Sequence, residues 1–152
     1  MVRVIASLFI LSAASSCGQK CQVELETFYA HPAETRMSLF QIMDLSEQYM
    51  VYLCGMRYVH PPPVGLSHYI AAKNQHAGLF ALERLKQSSD PVERLAALGL
   101  LVEASKLNPE QICHRSDVGQ TIRAKGKQFA RADLRAEYEE VAKGYCSGVD
   151  GR

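Results

Sequence analysis

From Val4 to Leu11 the chain reads VIASLFIL, with Ser7 its one polar side chain, and no stretch further on is so uniformly apolar. Beyond residue 32 apolar positions recur instead at helical spacing, with polar residues between them. Met37, Phe40, Ile42, Met43, Leu45, Tyr49, Met50, Leu53 and Met56 predict a first helical region from Ala33, interrupted near Asp44-Leu45-Ser46. Pro32 stands at its first turn, where a missing N–H costs nothing. His60-Pro61-Pro62-Pro63-Val64-Gly65 ends the region, because three successive prolines cannot sit inside a helix. A rigid corner between helices is the reading preferred there over a polyproline ligand.

A second helix is predicted from after Ser67 to about Gln87, with Ile70, Ala71, Leu79, Leu82 and Leu85 as its buried stripe and Gly78 as its weak point. Asp90 then provides a cap, Pro91 the first helical position and Glu93 the third, the pattern of a capping box. Val92, Leu95, Ala96, Gly99 and Val102 line one face of that helix, and Leu98 and Leu101 widen it. So broad an apolar surface predicts a central helix. Asn108-Pro109-Glu110-Gln111 repeats the cap, proline and third-position pattern. Over Ala130 to Cys146, Leu134, Tyr138, Val141 and Tyr145 form a last stripe, which turns Cys146 toward the core. The expected architecture is all-α, a small bundle or orthogonal array of four to six helices stapled by disulfides.

Composition narrows the functional classes. The chain of 152 residues has a net charge of +1 and no Lys/Arg cluster dense enough for a phosphate-binding face, so nucleic acid is not an expected partner. Trp is absent and aromatics make up 8%, which disfavours carbohydrate platforms and base-stacking surfaces. After residue 16 no segment approaches the ~20 apolar residues of a membrane span.

Arg3, the apolar run and the small residues Ser12 to Ser16 follow the order of a secretory signal peptide. An exported chain works in an oxidising compartment, so its five cysteines, Cys17, Cys21, Cys54, Cys113 and Cys146, read as a framework with one left over. Ala14-Ser15-Ser16-Cys17-Gly18 resembles the lipobox of bacterial lipoproteins, although Ala14 stands where that family prefers leucine. The resemblance implies cleavage before Cys17 and acylation of its sulfur and amino group. Simple cleavage after Ala14 or after Ser16 is the alternative. Lipidation of Cys17 would leave an even set, Cys21, Cys54, Cys113 and Cys146, for which Cys21–Cys54 and Cys113–Cys146 are the favoured pairs. The expected organisation is a signal peptide over 1–16, a lipid-anchored tether over 17–31 and one helical domain over 32–148.

Chemistry-bearing motifs are sparse. There is no G-x-S-x-G elbow, H-E-x-x-H, P-loop or G-x-G-x-x-G. Cys17 and Cys21 are spaced C-x3-C, without a second pair at finger spacing, so no metal ligands are assigned. His31 and His60 precede prolines, and His68 and His76 would stand about 80° apart on one helix. Glu137, Glu139 and Glu140 read as a solvated face, and a nucleophilic pairing of Cys54 with a histidine is less expected than a disulfide. No catalytic residue or cofactor is assigned. Residues Leu82 to Leu101, with Asp90, Pro91, Val92, Arg94, Ala96, Ala97 and Leu98, resemble a single HEAT-type hairpin, taken as a two-helix unit because no second copy follows. The expectation is a non-catalytic lipoprotein on the periplasmic side of a bacterial membrane, that of the outer membrane, binding another envelope protein. Its alternatives are a periplasmic immunity or inhibitor protein acting on an effector enzyme, and an unrecognised enzyme.

Overall fold

The computed structural model describes residues 21–147; Cys17 and the predicted signal peptide lie outside the described residues. The chain is helical from Cys21 and widens into a π-helical segment, Leu25–Tyr29. Eight α-helices follow: α1 Ala33–Ile42, α2 Leu45–Tyr58, α3 Gly65–Lys73, α4 Ala77–Gln87, α5 Pro91–Leu107, α6 Pro109–Ile112, α7 Ser116–Gly126 and α8 Ala132–Ala142. No strand occurs among the described residues, so the all-α class holds, with more and shorter helices than the pattern predicted. Part of the span expected as a tether is structured: Cys21 and Phe28 are both buried.

α5 is the centre. Ten of its seventeen residues are buried, Leu95, Leu98, Leu101 and Val102 among them, because several helices pack on it. α2, α3, α4 and α8 all pack on it, most extensively α4, across the short turn Ser88 to Asp90. That pair is the two-helix unit read from Leu82 to Leu101.

The interruption at Asp44 is a helix start with a complete capping box. Asp44 Oδ1 accepts from the Glu47 N–H at 2.9 Å, and Glu47 Oε2 accepts from the Asp44 N–H at 2.9 Å. Two other expectations are corrected. The helix predicted over Ser67 to Gln87 is two helices, α3 and α4. The Asn74 amide, at the end of α3, donates to Ile70 O and to Gln48 Oε1 on α2, each at 3.0 Å, and this tertiary capture turns the chain. Ile42, counted with the apolar stripe of the first region, is 82% exposed at the end of α1.

At Asp90 only half of the expected box forms. Asp90 Oδ1 accepts from the Glu93 N–H at 2.9 Å, but the Glu93 carboxylate turns to Arg84 of α4 at 2.7 Å and to the Ser88 hydroxyl at 3.1 Å. A charge-assisted bond to a guanidinium is stronger than one to a backbone amide, which explains the choice. The same corner gathers Arg57 of α2 onto Asp90 at 2.7 Å, Arg94 onto the Ser88 and Ser89 carbonyls, and Lys125 of α7 onto the Ser88 carbonyl at 3.0 Å. One turn thus ties four helices together. Asn108, expected to cap α6 with its side chain, makes no such bond.

Gly78 lies inside α4 and not at a break. A Cβ there would come within 1.9 Å of Ile112 Cδ1 and 3.2 Å of Ala104 Cβ, so its bare backbone lets α4 approach α5 and α6.

Both favoured disulfides are present, Cys21–Cys54 and Cys113–Cys146, each closing a sequence separation of 33. The first fastens the opening helical turn to α2, and the second fastens the chain beyond α8 to the end of α6.

Burial raises the hydroxyl pKa of Tyr29, Tyr49 and Tyr138, and takes that of Tyr52 to about 12. Unfolded tyrosine ionises near pH 10. The stabilisation from keeping these four neutral is therefore complete below pH ~10 and is lost as pH rises above it, by at most about 1.4 kcal/mol per pH unit for each ring. Urea midpoints measured from pH 8 to 12 are expected to be flat at first and to fall steeply past about pH 10; a midpoint unchanged at the top of that range would contradict the assignment.

Candidate functional site

Two open grooves flank α8, and they differ in charge. The first lies between α7 and α8 and has a volume of 570 Å³. Along α7 and its C-terminal cap, Gly119, Arg123 and Lys127 follow one another at intervals of four; along α8 and its cap, Arg135, Glu139 and Lys143 do the same. Positions four apart share a helix face, so the two stripes confront each other across the groove. Its floor is apolar, with Ile122 and Tyr138 buried and Ala142 and Tyr145 half-buried.

Local contacts make this floor rigid. The Tyr138 hydroxyl donates to Ile122 O at 3.1 Å, joining the two helices beneath the groove. The Phe129 ring packs tilted against Tyr138 at 5.0 Å, and Arg94 of α5 lies over the Phe129 ring at 5.4 Å. Gly126 faces the Tyr138 ring, where a Cβ would be 3.2 Å from Cε1. Tyr145 closes one end, and its hydroxyl donates to Ile112 O at 3.0 Å. The adjacent Cys113–Cys146 bond fixes that end. Along the rim Arg135 donates to Phe129 O at 2.6 Å, while Lys143 pairs with Glu140, which does not line the groove. Arg123 and Lys127 make no ion pair among the described residues.

The second groove, of 500 Å³, is walled by α2, α3, α5 and α8. Glu103, Glu137 and Glu140 line it with His68 and Lys106. Glu103 accepts from Lys106 at 2.6 Å and pairs with His68 Nδ1 at 2.9 Å. Burial works to raise the Glu103 carboxyl, but the Lys106 and His68 hydrogen bonds outweigh it and hold its pKa below the usual value. The geometry does not assemble a nucleophile: the Ser67 hydroxyl, beside His68 in sequence, gives its proton to Val64 O at 2.7 Å.

The remaining sequence candidates are dispersed. His68 lies in α3 and His76 in the turn before α4, where it contacts the neighbouring Gln75. Among the described residues no group of three His, Cys, Asp or Glu side chains is placed to hold a metal ion. Cys54 is bonded to Cys21. Glu137, Glu139 and Glu140 are exposed, as expected, but they divide between the two grooves.

The α7 half of the first groove was missed in the sequence, where Gly119, Ile122, Arg123, Gly126 and Lys127 already carry a short amphipathic pattern. Small residues and cations in place of bulky apolar ones gave it a weak signal.

No family model, curated protein or solved structure matches this chain. Its reading rests on its own residues.

Proposed function

We propose that the chain is an exported, lipid-anchored helical protein of the bacterial cell envelope that binds another protein and carries out no catalysis. One observation supports this most directly. Cys21, Cys54, Cys113 and Cys146 pair completely with one another, so the remaining cysteine is Cys17, at the end of the signal-like segment. Disulfides of this kind persist in oxidising compartments. Acylation would give the left-over thiol a use, and more than one acyl chain would hold the protein stably. No described helix is long and apolar enough to cross a membrane, so an anchor of this kind would provide the attachment.

Intact-mass analysis of the protein expressed in a bacterium tests the proposal. The expected result is a chain beginning at Cys17 with added acyl mass, recovered in the membrane fraction. An unmodified chain beginning at Ser15 or Cys17 would reduce the reading to simple export. An intact Met1 would remove it.

A further inference from the structure

We infer that the groove between α7 and α8 takes an acidic amphipathic helix of a partner protein, an inference that specifies the partner in the protein-binding reading above. Arg123, Lys127 and Arg135 line it against the one carboxylate of Glu139, together with Lys143, whose charge Glu140 beside the rim offsets. The whole chain carries a net charge of only +1, so this is a local concentration of charge and not an overall basicity. Between the cationic stripes lies an apolar floor, the arrangement that accepts a helix by its i, i+4 and i+7 side chains. Each wall is an 11-residue helix, roughly 16 Å long, which matches about three turns of a bound helix. The Tyr138–Ile122 bond and the Cys113–Cys146 disulfide hold the walls in place, so little ordering is needed on binding.

Other occupants fit less well. The chain's own first twenty residues contain Arg3 and Lys20 and no carboxylate side chain, the wrong charge for a cationic rim. A lipid surface is met by protruding apolar side chains, whereas Ile122 and Tyr138 lie buried at the bottom of the groove. The large exposed apolar residues, among them Ile42, Val64 and Leu107, are outside it.

The test uses the full chain and a fluorescein-labelled helical peptide of about 14 residues, leucine at i, i+4 and i+7 and glutamate elsewhere, with a lysine counterpart as control. Fluorescence polarisation is expected to show saturable binding of the Glu/Leu peptide alone, weakened at least ~5-fold between about 50 and about 500 mM salt. Arg123→Glu with Lys127→Glu should weaken it about tenfold or more. Gly119→Leu should abolish it by narrowing the groove from the α7 wall: a Cβ there meets only the Arg123 guanidinium, at 3.5 Å, so the side chain starts from open space. Glu137→Arg, in the other groove, should change little, and circular dichroism confirms that each variant is folded. Equal binding of both peptides, no saturable binding, or insensitivity to Gly119→Leu would each overturn the inference. So would binding of phosphatidylglycerol vesicles, lost in Gly119→Leu, in place of the peptide. An unacylated mass with intact peptide binding would remove the anchor and leave the groove; the reverse pair of results would do the opposite.

Discussion

Replacing Cys21 and Cys54 together by alanine is expected to lower the unfolding free energy by about 4 kcal/mol. In the chain-entropy account a loop of this length contributes about 3 to 4 kcal/mol by restricting the unfolded chain. Packing adds to it, because Cys21 and Cys54 are 1% and 0% exposed and their sulfurs leave space behind. The Cys113–Cys146 bond closes the same separation, but both its cysteines are half-buried, so its double alanine variant should lose less, about 3 kcal/mol. Urea unfolding under oxidising conditions reads both. A small domain has about 5 to 15 kcal/mol in total, so the Cys21/Cys54 variant should be marginal or unfolded near body temperature. A loss below about 1 kcal/mol for either variant would mean that the bond scarcely restricts the unfolded ensemble.

The second large effect is expected at Gly55, in the last turn of α2. Alanine normally stabilises a helix interior relative to glycine by about 1 kcal/mol. Here its Cβ would fall 2.0 Å from the Tyr29 hydroxyl oxygen and 2.4 Å from Pro63 Cγ. Neither neighbour yields easily: the Tyr29 ring is rigid and its hydroxyl donates to Val51 O at 2.8 Å, while Pro63 belongs to the proline corner. Overpacking of about 1 to 3 kcal/mol and the loss of a half-buried hydrogen bond of about 1 kcal/mol exceed the helical gain. Gly55→Ala should therefore destabilise by about 2 kcal/mol. Gly65→Ala supplies the contrast. It opens α3 with nothing within 4 Å of a Cβ, and the change should be neutral or stabilising. Gly55→Ala should melt below the parent protein and Gly65→Ala at or above it; a stabilised Gly55→Ala would show that Tyr29 and Pro63 do not press on α2.

The features that could be read in the sequence were those written in local chemistry. The breadth of apolar residues on α5 marked it as central, and the prolines at 61–63 marked a corner. The cysteine pairing followed from parity together with the inward stripe of Leu134, Tyr138, Val141 and Tyr145. What escaped was decided by partners far along the chain. Asn74 ends α3 because Gln48 on α2 receives its amide, and no residue near 74 signals that. Gly78 looked like a weak point because the reason for it, Ile112, is more than thirty positions away. Glu93 matched a capping box locally and was drawn off by Arg84. The α7–α8 groove was hidden for a related reason: each helix carries half of its charge, and only packing sets the halves face to face.

The Cys21–Cys54 bond also bears on where such a groove could operate. It fastens the fold to the chain only four residues beyond Cys17, and four residues at full stretch reach no more than about 14 Å. With Cys17 acylated, as proposed, the leash is shorter than the domain is wide. The protein would ride against the headgroups and sweep only a thin layer above them. A partner would then have to present its acidic helix close to the bilayer, and confinement to that layer would raise its effective concentration where the two meet.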